Sequence, residues 1–148
     1  MIVGLGIDLV EIARIEATWK RFGERFARRV LSDEELATFG ERNAARRLAK
    51  TFSVKEAAGK ALGTGVLGPV GFHHIVIEHR KSGRPTLRFV GPAVERMRYL
   101  GARRALVSVS DEGGMAAAVV VLDSEEAHTG PGPEGRLGQR RSRVEDKE

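Results

Sequence analysis

The sequence predicts an α+β fold, an antiparallel sheet packed against helices that include one long central helix. Three observations carry that prediction. Residues 2–10 (IVGLGIDLV) alternate with the period of a strand, and Asn43–Leu62 is rich in Ala, Leu, Lys and Arg, as a long helix would be. Near the end of the ordered-looking sequence, Ala105–Ser110 and Met115–Leu122 read as two strands joined by a tight turn over Asp111–Gly114.

The elements follow in order. In the first strand Val3, Leu5, Ile7 and Leu9 share one apolar face, with Gly4, Gly6 and Asp8 on the other. Paired glycines in a strand mark the close approach of a ligand or of another backbone. Residues 11–30 read as one helix, with Trp19, Phe22, Phe26 and Val30 on a stripe and Arg14, Arg21, Arg25 and Arg28 largely off it. Ser32 and Glu35 form a capping box for a short helix reaching Phe39. Gly63-Thr64-Gly65 stops the long helix. Phe72–His79 and Pro85–Val90 form a hairpin through Ser82-Gly83, and Gly91-Pro92 opens a helix that ends near Gly101. Met115–Leu122 is apolar throughout, so a central strand covered on both faces is expected.

From Ser124 the composition changes. The segment 124–148 holds one Leu, one Val, no aromatic residue and clustered Gly and Pro, too little apolar surface to offset the entropy of ordering. The expected organisation is therefore a domain over 1–123 and a disordered tail over 124–148. The tail has 5 basic and 6 acidic residues, which leaves a net charge of +6 on the domain out of +5 for all 148 residues. Arg42, Arg46, Arg47, Lys50, Lys55 and Lys60 concentrate that charge and imply an anionic partner. With no cysteine, a disulfide framework, a thiol nucleophile and Cys-ligated metal sites are excluded. The N-terminus has neither a basic start nor an uninterrupted apolar run, so no signal peptide or membrane span is expected, and the setting is read as cytoplasmic.

Two acids stand in apolar or basic surroundings, Asp8 and Glu56. Spacing alone makes Glu56 half of a helical i,i+4 pair with Lys60, and Asp8 a turn or capping residue. A second reading takes them together. A hard divalent cation such as magnesium binds one or two carboxylates plus phosphate oxygens and water, and Asp8 and Glu56 could supply the carboxylates. Lys60, one turn beyond Glu56, would then face the same phosphates, with the Gly63, Thr64 and Gly65 amides approaching a nucleotide. The triplet is not a P-loop, since its glycines follow the helix. His73 and His74 are adjacent in a predicted strand, so their side chains point to opposite faces and do not easily share one metal, and Ser108 and Ser110 read as exposed hydroxyls. Trp19, Phe22, Phe26, Phe39 and Phe52 fall at core spacing, leaving few rings to stack bases.

Several segments resemble the holo-acyl-carrier-protein synthases, small phosphopantetheinyl transferases. They are Gly4-Leu-Gly-Ile-Asp8-Leu-Val-Glu-Ile12, Arg29-Val-Leu-Ser-Asp-Glu-Glu35 and, most specifically, Phe52-Ser-Val-Lys-Glu56-Ala-Ala-Gly-Lys60-Ala-Leu-Gly-Thr-Gly65. Gly83-Arg-Pro85 and Val107-Ser-Val-Ser-Asp111 match later segments, and the likeness covers residues 1–123. It implies a magnesium-dependent transfer of phosphopantetheine from coenzyme A to a serine of apo acyl carrier protein, for fatty acid biosynthesis. By position, Asp8 and Glu56 would ligate magnesium and act with Lys60 in catalysis. Lys60, Gly63, Thr64, Gly65 and Arg84 would contact coenzyme A, and Arg14, Arg21, Arg25 and Arg28 would dock the acidic carrier protein. Either Glu56 or a metal-bound water would take the serine proton. The family is trimeric, with sites between protomers. Thr51 stands where an Arg is usual, and Asp111 where some members carry His. The rival reading is a basic, non-catalytic nucleic-acid-binding module built on Arg42–Lys60, whose binding would depend on salt and not on magnesium. The resemblance itself implies neither a nucleic-acid nor a membrane partner.

Overall fold

A computed structural model describes residues 1–125; the expected tail lies, from residue 126 on, outside the described residues. The elements are β1 (Ile2–Glu11), α1 (Ile12–Phe22), α2 (Glu24–Val30), α3 (Asp33–Ala37) and α4 (Ala44–Leu62). A 3-10 turn (Phe72–His74), β2 (Ile75–His79), β3 (Pro85–Phe89), α5 (Pro92–Tyr99), β4 (Arg104–Glu112) and β5 (Met115–Asp123) complete them. The class is α+β as expected, but the strands form two sheets instead of one. A three-stranded sheet has the order β1-β5-β4, and β2 and β3 form a separate hairpin. These two five-residue strands satisfy each other across a turn in which Gly83 has φ of +85°, and β3 lies beside β4 without joining its ladder.

The helix expected over 11–30 is two helices. Gly23 adopts φ 52° and ψ −129°, a conformation open to glycine and closed to other residues without strain, and the chain turns there. The capping box forms as read: Glu35 N–H donates to Ser32 Oγ and Ser32 N–H donates to Glu35 Oε1. His73 and His74 sit in the 3-10 turn, not in a strand. Asp111 belongs to β4, and the β4–β5 turn is made by Gly113 and Gly114, both with positive φ.

β5 is central, pairing antiparallel with both neighbours. Only one of its faces is fully covered. Ala116, Ala118, Val120 and Leu122 are buried, whereas Ala117, Val119 and Val121 on the other face remain half-exposed. β1 explains why. Its alternation is as read, yet the apolar side faces outward: Leu5, Ile7 and Leu9 are 66%, 67% and 63% exposed. The side carrying Gly4 and Gly6 packs on α4 instead. A Cβ at Gly6 would lie 1.9 Å from the Ala57 carbonyl oxygen, and one at Gly4 would lie 2.4 Å from that of Ala61. Strand and helix backbones therefore touch, an approach no larger residue allows. Phe22, expected in the core, is 44% exposed and lies under the Arg21 guanidinium, 5.0 Å from ring centroid to carbon.

Candidate active site

The contact of β1 with α4 builds the site. Asp8 follows Gly4 and Gly6 on the inner side of β1, so its carboxylate emerges where α4 presents Glu56 and Lys60. The Asp8 side chain is only 13% exposed. Lys60 Nζ donates to Asp8 Oδ1 and to the Ile7 carbonyl, 3.0 Å each. The i,i+4 pairing of Glu56 with Lys60 is thus replaced by a bridge between helix and strand. Half-buried Glu56 holds its proton above the usual carboxylate range, first because of burial and then because of the Asp8 charge, with Lys60 acting the other way. Asp8, remote in sequence from Glu56 and Lys60, thus meets them where β1 packs on α4.

Gly63, with φ of 71°, ends α4. The expected availability of the loop amides to a phosphate is not what the fold provides. Gly63 N–H donates to the Lys60 carbonyl, and those of Thr64 and Gly65 both donate to the Gly59 carbonyl. They cap the free carbonyls that every helix C-terminus leaves. What the loop offers is therefore surface next to Lys60, not an amide cradle. Gly59 makes this folding-back possible, since a Cβ there would come within 2.7 Å of the Gly65 carbonyl carbon. From α5, Arg96 Nε donates to the Leu62 carbonyl at 2.7 Å and clamps the same helix end.

Arg84 does not join this cluster. It lies exposed in the β2–β3 turn and makes no hydrogen bond or ion pair to Asp8, Glu56 or Lys60. Arg14, Arg21, Arg25 and Arg28 are all exposed, the first two on α1 and the others on α2, and Arg28 pairs with Glu24 at 2.8 Å. The cations of Arg42–Lys60 share no single face. Lys55 is buried, Lys60 reaches Asp8, and Arg46 and Lys50 lie 3.3 and 3.4 Å from Asp111. A cavity of about 530 Å³ opens between α4 and the β2–β3 hairpin, lined by Arg47, Lys50, Thr51, Glu78 and Pro85 among others. Arg47, Thr51 and Val54 on its wall lie on the side of α4 roughly opposite Glu56 by helical geometry.

Glu35 and Lys55 play a part that reading by motif missed. The capping box accounts for Glu35 alone, and in the sequence Lys55 reads as one of six cations facing an anionic partner. Its place on the apolar side of α4, between Val54 and Ala58, was the available signal. Burial holds its ammonium below the usual lysine range, with the charge and hydrogen bond of Glu35 opposing that effect.

Comparison with known proteins places the chain in a family. The family description "ACPS: 4'-phosphopantetheinyl transferase superfamily" matches residues 4–118. The chain belongs to this superfamily. Within it, the chain falls with the holo-[acyl-carrier-protein] synthases. The synthase of Shewanella frigidimarina is 48% identical over 124 residues, covering 83% of this chain and 98% of that one. The crystal structure of the Neisseria meningitidis synthase superposes with a TM-score of 0.73 at 40% identity, over 83% of this chain and 99% of that chain. The Helicobacter pylori synthase, solved in complex with coenzyme A, gives a TM-score of 0.71 at 34% identity, over 80% of this chain and 99% of that one. The motifs around Asp8 and Glu56 lie inside the matched region. Among the described residues no helix is long and apolar enough to cross a membrane.

Proposed function

We propose that this chain transfers the phosphopantetheine moiety of coenzyme A to a serine of apo acyl carrier protein, releasing adenosine 3',5'-bisphosphate and supplying holo carrier protein for fatty acid biosynthesis in the cytoplasm. Family membership supports the reaction, and one structural observation supports its location: Asp8, Glu56 and Lys60 meet at the β1–α4 contact.

The residues fit magnesium. Among the described residues no group of three or more His, Asp or Glu could enclose a metal, but two adjacent carboxylates suit a cation that keeps water and phosphate in its shell. The Asp8 charge that raises the proton affinity of Glu56 is the kind of repulsion a divalent cation relieves. Asp8 and Glu56 would hold the ion, which when bound polarises the diphosphate and neutralises charge on the leaving group.

The rest of the step falls to the chain itself. The serine oxygen forms a bond to the phosphorus bearing pantetheine, and the bond from that phosphorus to the bridging oxygen breaks. Glu56 accepts the serine proton, directly or through one water. Lys60, fixed by Asp8 and the Ile7 carbonyl, presents its half-exposed ammonium to the phosphates, a preset positive charge that needs no reorganisation. The Gly63–Gly65 surface lines the adenosine side.

Three copies would complete the site. Cross-strand rows Leu5–Val121–Leu106 and Ile7–Val119–Ser108 make the outer face of the three-stranded sheet largely apolar, and β1 ends the sheet as a ten-residue edge. Such a surface marks an interaction site and a pairing hazard if left bare. A trimer closed through this face would cover it, and Arg84, which makes no bond to its own Asp8, would then serve a neighbour's coenzyme A. Arg14, Arg21, Arg25 and Arg28 would attract the acidic carrier protein over long range.

Intact-mass analysis of apo carrier protein with coenzyme A and magnesium tests the reading. The expected result is a phosphopantetheine mass gain with the wild-type chain and none with Asp8→Ala or Glu56→Ala, both folded. Full activity in both variants would overturn the site.

A further inference from the structure

Lys55 immediately precedes Glu56 on α4, yet its side chain is fully buried and leaves the helix about 100° away from that of Glu56. Its ammonium donates to the Val30 carbonyl at 2.8 Å, to the Phe72 carbonyl at 3.1 Å and to Glu35 Oε1 at 2.5 Å. An ammonium has three donors, so all are used. Glu35 accepts in addition from Ser32 N–H at Oε1 and from Ile77 N–H at Oε2, 2.8 Å each. One ion pair therefore joins the end of α2, the start of α3, the 3-10 turn and β2 to a single residue of α4.

A buried ion pair seldom holds a fold better than apolar side chains of equal volume, because desolvation offsets the attraction. What it supplies is direction, since each bond constrains distance and angle. On the opposite side of α4 the one side-chain tie to β1 among the described residues is that of Lys60 itself, to Asp8 and the Ile7 carbonyl. There the helix meets Gly4 and Gly6, which set how close β1 comes but carry no side chain to key the helix along its axis.

We propose that Lys55 and Glu35 are positioning residues of the active site, fixing the rotation and axial register of α4 so that Glu56 and Lys60 meet Asp8. The pair touches none of those three side chains and acts only through the helix. This inference rests on the transferase reading for its kinetics, and a second readout frees it from that dependence.

The full-length chain is compared with Lys55→Met, which keeps length and loses the donors, and with Glu35→Gln, which keeps an acceptor for Lys55 and loses the one for Ile77. Circular dichroism reports folding, steady-state transfer gives kcat and KM for coenzyme A, and calorimetry measures magnesium binding without substrate. The expected result for a folded variant is a kcat lower by about tenfold or more, since a 1 Å misplacement can cost roughly a hundredfold. Because Lys60 also faces coenzyme A, KM for coenzyme A should rise, but by less than kcat falls, and magnesium should bind more weakly. Folded variants with wild-type kcat and magnesium affinity would overturn the proposal, and so would a change in KM alone. Loss of folding in both would also overturn it, reducing the pair to a stability element. If the wild-type chain itself transfers nothing, the transferase reading fails, while unequal magnesium binding between wild type and variants still supports positioning.

Discussion

Gly6→Ala is the sharpest perturbation of the β1–α4 contact. The added Cβ would stand 1.9 Å from the Ala57 carbonyl oxygen and 2.7 Å from the Ala61 nitrogen, both backbone atoms of a regular helix. An ordinary carbon–oxygen contact is about 3.3 Å, so strand and helix must part by roughly 1.4 Å. No rotamer change relieves the clash, because no side chain is involved. Overpacking of this kind costs about 1–3 kcal/mol, and more where backbone must move. Replacing a strand glycine returns only about 0.5–1 kcal/mol of chain entropy, so strain wins. Asp8, two residues along the same side, would move with the strand and lose its 3.0 Å bond to Lys60. Urea unfolding should show a lower midpoint, and transfer should fall about a hundredfold, the scale set by an ångström of misplacement. Gly68→Ala is the control, since its Cβ would meet nothing nearer than the Thr64 carbonyl oxygen at 4.0 Å. Wild-type stability and activity in Gly6→Ala would refute the claim that backbone contact positions Asp8.

Three further outcomes can be checked. Ile7→Asp places a carboxylate on the exposed apolar row of β1, and if the proposed trimer closes through that face, sedimentation should show a smaller species with loss of transfer, while an assembly state equal to wild type would assign that face elsewhere. Arg21→Glu with Arg25→Glu should lower kcat/KM for the carrier protein at low salt, less so at high salt, and leave KM for coenzyme A alone; equal loss for both substrates would place these arginines in the catalytic site. Asp123 is held well below the usual carboxylate range by the Met1 amino group and Arg104. The folded state thus binds its proton less readily than the unfolded state, and the stabilisation is present above about pH 4 and fades as pH falls. Asp123→Asn should lower the thermal midpoint at neutral pH and show a smaller difference from wild type in acid; a constant difference would mean the pairing carries no charge effect.

Much of the fold was legible locally, because it depends on neighbours along the chain. The Ser32–Glu35 box, the end of α4 at Gly63 and the central β5 each follow from short-range hydrogen bonding or apolar pattern. The break at Gly23 was not legible, since nothing in the surrounding apolar stripe distinguishes a tolerated glycine from one with positive φ. The direction in which β1 faces was also missed. Alternation gives two faces, and the apolar one is normally buried, but the backbone contact at Gly4 and Gly6 claims the other side and leaves Leu5, Ile7 and Leu9 outward.

By itself the sequence determined the family and brought forward Asp8, Glu56 and Lys60 as the candidate site residues, because these rest on residue identity and order. Tertiary structure decided what each group faces. Lys60 pairs with Asp8 instead of Glu56, the Gly63–Gly65 amides close a helix instead of a phosphate, and Lys55 is a buried tie instead of a surface charge. Each of these depends on which distant backbone lies within hydrogen-bond reach, a distance set by packing β1 and β2 against α4 and absent from any local stretch of sequence.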